Sequence, residues 1–236
     1  MLQFIRNILV PVAAPQHPHR QFVNHHHAGG PGPKLYGTDR IGLVGFNTKG
    51  FVIARPARPH DAWLQPRIMD LPNKVGGGTN IADGLRKALE IFDNAPQEIQ
   101  GRILKRIWLY SDGLPTTEQD AILPLAEKAA RQFINVNTVG FGNTGAFNEQ
   151  LLQAIASKTH NGRFIRVHDL QELCNALVAS GPNSARIQHR RHRMEFTVVV
   201  CDCSGSMSED MGGRRKIEVA AQSLLHLVMW KQRLYA

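Results

Sequence analysis

Strand-like apolar runs alternate with helix-like stretches along most of this chain, and few folds accommodate that alternation. Residues 40–46 (RIGLVGF), 106–111 (RIWLYS), 135–140 (NVNTVG), 162–167 and 196–201 (FTVVVC) read as strands. Residues 81–92, 118–132, 148–157 and 170–179 read as the helices between them, and 217–234 as a long closing helix. In 81–92 the apolar residues Ile81, Leu85, Ala88, Leu89 and Phe92 recur at helical spacing. Residues 50–55 read as a hairpin partner for 40–46, with 47–49 in the turn. A short helix is expected at 68–71, and Pro124 is expected to kink the helix that holds it. The pattern predicts an α/β fold with a doubly wound, mainly parallel six-stranded sheet. One antiparallel strand lies at its edge and helices cover both faces. Sheets of this kind bind ligands beyond the carboxyl ends of their strands, where strand order reverses.

The 236 residues suit one domain with an extension. Residues 1–37, rich in Pro, His, Gly and Gln, read as a disordered arm; 38–236 form the domain. Within the arm, His25-His26-His27 lacks the spacing of a structural metal site and reads as a solvated tract. Residues 1–14 read as a frayed tail rather than a signal peptide, and no apolar run is long enough to span a bilayer. Three cysteines cannot all pair, and Cys201 and Cys203 are too close for an ordinary structural loop. A reducing, cytoplasmic setting is the expectation, with both as buried small residues.

The formal charge is +9. Much of the excess lies in Arg186, Arg190, Arg191 and Arg193, with His189 and His192, and in Arg214-Arg215-Lys216. These read as solvated basic segments; the functional alternative is a footprint for nucleic acid or an acidic protein. No aromatic residues interleave the first run, so it offers no platform for base stacking.

The turn after 196–201 is Asp202-Cys203-Ser204-Gly205-Ser206, one carboxylate and two hydroxyls on a strand-to-helix connection. Gly76-Gly77-Gly78-Thr79 precedes the helix at 81–92, and Ser111-Asp112-Gly113 closes another strand. Asp202, Ser204, Ser206, Thr79 and Asp112 together are hard oxygen donors of the type that holds Mg²⁺, with Mn²⁺ or Ca²⁺ as alternatives. Gly205 is expected to turn the backbone sharply beneath the ion, and Gly76–Gly78 to let the Thr79 loop approach closely. The competing reading makes Ser204 and Ser206 helix caps and the aspartates simple strand ends.

The pattern Asp202-x-Ser204-x-Ser206, with Gly-Gly-Thr79-Asn80 and Ser111-Asp112-Gly113, resembles the metal-ion-dependent adhesion site (MIDAS) of the von Willebrand factor A-type (vWA) domain. Asp39–Phe46 resembles that family's second strand, and the likeness extends over 39–179 and 195–234. It implies a Rossmann-like vWA fold in which Ser204 and Ser206 bind the ion directly. Thr79, Asp202 and Asp112 would bind it directly or through water. It also implies a non-enzymatic, protein-binding role in which the bound Mg²⁺ captures an Asp or Glu of a partner protein. A nucleic-acid-associated module using the basic linker, with a structural ion, is one alternative. A metal-assisted phosphoester hydrolase is another, though no general base or free nucleophile is placed for it.

The order departs from the family. The strand, turn and helix at 195–236 resemble the unit that comes first there, yet here they follow the unit at 38–180 and a basic linker at 181–194. A circular permutation within one monomeric chain is the favoured expectation. Exchange of the last unit between chains, and a fragment of two incomplete domains, are the alternatives. The 14-residue linker reaches about 45 Å when extended, well beyond the roughly 15 Å that three strand spacings require.

Overall fold

The computed structural model describes residues 39–95, 103–112, 114–142, 147–167 and 194–233. The arm at 1–37, the helix expected at 170–179, and all of the linker but Met194 lie outside them.

Among the described residues, six strands form one sheet. They are β1 (Arg40–Phe46), β2 (Gly50–Ala57), β3 (Leu104–Ser111), β4 (Ile134–Phe141), β5 (Phe164–Val167) and β6 (Glu195–Asp202). Their order is β2-β1-β6-β3-β4-β5. Only β2 runs antiparallel, against β1 at the sheet edge; the other neighbours pair in parallel. The last strand in sequence therefore sits in the middle. β6 pairs with β1 from Arg40↔Phe196 to Phe46↔Asp202 and with β3 from Leu104↔Glu195 to Tyr110↔Cys201.

A strand covered on both faces reads as a mostly apolar run, and every residue of β6 is buried, including Glu195 and Asp202 at its two ends. Its side chains alternate between two cores. Phe196, Val198 and Val200 join Val44, Phe46, Ile107 and Leu109 on one face. Val199 and Cys201 join Ile41, Leu43, Trp108 and Tyr110 on the other. The first face is covered by α2 (Ile81–Asp93), α3 (Gln119–Arg131) and α4 (Glu149–Ser157). The second is covered by α1 (Leu64–Met69) and α5 (Lys216–Arg233). The expected stripe Ile81, Leu85, Ala88, Leu89 and Phe92 is buried in the first core.

One local expectation is corrected. The short helix lies at Leu64–Met69 rather than 68–71, and a separate 3₁₀ turn follows at Leu71–Lys74. Asp70 lies between them, and Pro72 is the second residue of the 3₁₀ turn, where a missing N–H is tolerated. Pro124 lies inside α3, which runs from Gln119 to Arg131.

The amino end of the central strands carries a buried ion cluster. Lys231 Nζ, near the end of α5, is 2.7 Å from Asp39 Oδ2 and 3.3 Å from Glu195 Oε2. Arg106 approaches Glu195 at 3.7 Å. The Asp39 carboxylate also accepts the Glu195 backbone N–H at 2.9 Å. The cluster joins the starts of β1, β3 and β6 to the far end of α5.

Candidate metal centre

At the opposite end of the same strands, β6 finishes at Asp202 and β3 at Ser111, with Asp112 next. The parallel register holds these ends side by side. The Asp202 carboxylate accepts Ser111 Oγ at 2.7 Å through Oδ2 and the Ser204 backbone N–H at 2.8 Å through Oδ1. Ser204 Oγ and Ser206 Oγ are 3.0 Å apart, and Ser206 Oγ donates to Asp112 Oδ1 at 2.9 Å. Four of the expected residues thus lie in one chain of hydrogen bonds. It crosses between two strands far apart in sequence.

Ser204 stands at the start of the 3₁₀ turn Gly205–Ser208 without a side-chain capping bond. Ser206 spends its donated hydrogen bond on Asp112. The geometry therefore favours neither hydroxyl as a cap.

The loop before Thr79 is fastened to this turn by backbone. Gly76 N–H donates to Cys203 O at 2.8 Å, and Gly205 N–H donates to Gly77 O at 3.1 Å. Gly77 has φ +78°, and a Cβ there would lie 2.6 Å from Thr48 Oγ1, so only glycine fits without strain. Thr79 itself is buried. Its N–H donates to Thr116 Oγ1 at 3.0 Å, and its carbonyl accepts the Thr116 N–H at 2.9 Å. Among the described residues its hydroxyl hydrogen-bonds to none of the other four. The expectation for Gly205 is corrected. Its φ is not positive, and an added Cβ would meet only Gly77 O at an ordinary 3.7 Å.

The electrostatics of the two carboxylates differ. Burial pushes the Asp202 carboxyl up to about 6, against the hydrogen bonds from Ser204 and Ser111 that favour its charged form. Among the described residues no Lys or Arg pairs with it. Asp112 does have a cation. Lys216 Nζ donates to Asp112 Oδ2 at 2.6 Å and to Glu209 Oε2 at 2.7 Å. Burial disfavours the ammonium, but these two partners outweigh it and hold the Lys216 pKa above its ordinary value.

Lys216 was thus misassigned by its neighbours in sequence. Arg214-Arg215-Lys216 is not one basic patch. Arg214 bonds to Gln222, Arg215 pairs with Glu218 at 2.8 Å, and Lys216 is buried. The missed signal was periodicity: Lys216 lies three, four and seven residues before Val219, Ala220 and Ser223, on the buried stripe of α5.

Cys201 and Cys203 are free and buried. The neighbouring Cys203 and burial hold the Cys201 thiol well above its ordinary range, which disfavours a thiolate ligand. Among the described residues no three His, Cys, Asp or Glu side chains cluster as a metal site. The available donor set is two carboxylates with hydroxyls. That set fits a hard cation, and buried Asp202 supplies an acidic group with no cation beside it.

The sequence matches the von Willebrand factor type A domain over residues 34–178. With its sheet and helices, the chain belongs to that family. The matched span stops before β6, which fills the centre of the sheet. Among solved structures, the VWA domain of SpRpn10 is 17% identical, with a TM-score of 0.43, over 54% of this chain and 64% of that one. BatB from Bacteroides thetaiotaomicron is 20% identical, with a TM-score of 0.42, over 55% and 71%. An uncharacterised membrane-spanning protein from Vibrio fischeri is 25% identical, with a TM-score of 0.30, over 61% and 77%. This chain thus spans less than two thirds of the SpRpn10 domain. No curated protein matches. Among the described residues no helix is long and apolar enough to cross a membrane.

Proposed function

We propose that this domain is a divalent-metal-dependent protein-binding module. Domains of the family are typically protein-interaction modules. Asp202, Ser204, Ser206, Thr79 and Asp112 would hold Mg²⁺, with Mn²⁺ or Ca²⁺ as substitutes. The ion would supply a positive charge with a coordination position left for an Asp or Glu of a partner protein. The observation that carries this reading is the Ser206–Asp112 bond at 2.9 Å beside buried Asp202. It gathers two carboxylates and two hydroxyls at the carboxyl end of the sheet, where such folds bind ligands.

The central position of β6 supports the circularly permuted reading, with the last strand, turn and helix completing the site of the same chain. A monomer by sedimentation is the expected result; a dimer would favour exchange of that unit between chains.

The first test is thermal unfolding with and without Mg²⁺ or Mn²⁺. The ion should raise the melting temperature of the intact protein and leave Asp202→Ala unmoved. Folded wild-type protein that responds to neither metal would overturn the site. Asp112→Ala should then lose Mg²⁺-dependent capture of partner protein, with chelator as the control.

A further inference from the structure

We propose that Lys216 is a built-in counter-ion that sets how tightly the site holds its divalent cation, an inference that rests on the metal site proposed above. The argument begins with how Asp112 divides its two oxygens. Oδ1 accepts Ser206, on the side of the donor cluster, and Oδ2 accepts Lys216. The ammonium and the donor cluster therefore meet different oxygens of one carboxylate. Among the described residues Lys216 Nζ bonds to Asp112 and Glu209 and to neither serine hydroxyl, and it draws charge from Asp112 through the other oxygen.

The ammonium also has a second partner. Glu209 Oε2 lies 2.7 Å from it, and the Glu209 side chain is 64% exposed while that of Lys216 is 7% exposed. Lys216 is thus held between a buried carboxylate that belongs to the site and an exposed one that does not. Glu209 lowers the positive potential that the ammonium imposes on the cluster. Without Lys216, both buried carboxylates would await a cation. With it, Asp112 is already neutralised, and the turn keeps its shape in the metal-free protein. The cost is a weaker hold on the divalent ion, because a positive charge beside the site opposes a second one.

Two substitutions should move metal affinity in opposite directions. Lys216→Met keeps the aliphatic stem and removes the charge; it should tighten Mg²⁺ binding by about tenfold or more. Glu209→Gln removes the competing partner and leaves the whole ammonium facing Asp112; it should weaken Mg²⁺ binding severalfold. A lysine that merely oriented Asp112 would give the reverse for Lys216→Met, since the loosened carboxylate would bind less well.

The measurement is calorimetric titration of the intact protein with Mg²⁺, repeated with Mn²⁺, at a pH where the carboxylates are ionised. Tighter binding by Lys216→Met together with weaker binding by Glu209→Gln supports the inference. Equal or weaker binding by Lys216→Met, or equal or tighter binding by Glu209→Gln, overturns it. Should Lys216→Met fail to fold, the exposed Glu209→Gln variant decides alone. Wild-type protein that binds while both variants match it removes only the role of Lys216. Absence of binding in wild type and both variants removes the metal site itself, and the inference with it.

Discussion

Strand β6 begins and ends in buried charge, but the two ends are built differently. At its start, Glu195 and Asp39 face Lys231 and Arg106, two acids against two bases. At its finish, Asp112 faces Lys216, which Glu209 also claims, and among the described residues no Lys or Arg pairs with Asp202. Balanced charge can be buried because each group meets its opposite; imbalance leaves a group paying for its desolvation. The difference separates a junction that fixes chain segments together from a turn in which, among the described residues, one buried carboxylate has no ion pair. Both lysines come from one helix, α5, so the same helix serves both purposes.

The largest expected effect breaks the balanced end. Lys231→Met leaves Asp39 and Glu195 buried without their closest cation and should cost about 3–5 kcal/mol. Denaturant unfolding measures it; a loss below 1 kcal/mol would mean that the cluster is not what joins α5 to the sheet.

The unbalanced end should respond with the opposite sign. Asp202→Asn removes a buried charge that hydrogen bonds from Ser111 and Ser204 compensate only in part. It should stabilise the metal-free protein at pH 8 by about 1–3 kcal/mol while abolishing the Mg²⁺ response. The pH dependence follows from the same carboxyl. Its folded pKa is about 6, above the ordinary value of 3.8. Between those values the folded protein binds a proton that the unfolded chain does not. In chelator, this group's contribution therefore makes stability rise as pH falls from about 7 to about 4. Comparison of wild type with Asp202→Asn isolates that contribution. A profile unchanged by the substitution would show that Asp202 is not under strain.

A smaller effect tests the loop that brings Thr79 to the turn. Thr116→Val removes the acceptor of the Thr79 N–H and should cost about 1 kcal/mol. The Mg²⁺-induced shift in melting temperature should shrink with it. Smallest of all, Glu218→Gln breaks an exposed pair with Arg215 at the mouth of α5. It should change stability by less than about 0.5 kcal/mol and leave the metal response intact.

Much of the fold was legible because its strands and helices have clear periods. The bounds of β1 agree with the sequence reading, and those of α2 differ only in its last residue. The donor turn was legible as well, because Asp202, Ser204 and Ser206 are polar residues directly after an uninterrupted apolar strand. The buried lysines were harder to see. Lys216 stands behind two arginines and Lys231 beside a chain of helix-forming residues, so composition suggests solvent for both. Helical phase corrects this. Lys231 lies three, four and seven residues after Val228, Leu227 and Leu224, which are all buried. A lysine at an apolar phase announces a buried partner. Naming that partner requires knowledge of which strand ends lie opposite, and only tertiary structure supplies it. Gly205 shows the converse error: a glycine in a turn was given a backbone role that its geometry does not require.

The central place of β6 also bears on synthesis. Strands β1 to β5 leave the ribosome before β6, so the facing edges of β1 and β3 are complete but unpaired until β6 emerges. At 5–20 residues per second, the interval from the end of β5 to the end of β6 is roughly a few seconds. During that time the nascent chain exposes two strand edges and the apolar surfaces beside them, which are open to pairing with other chains. Because β6 follows β1 to β5 in the chain, closure of the sheet coincides with assembly of the Asp202–Ser206 turn.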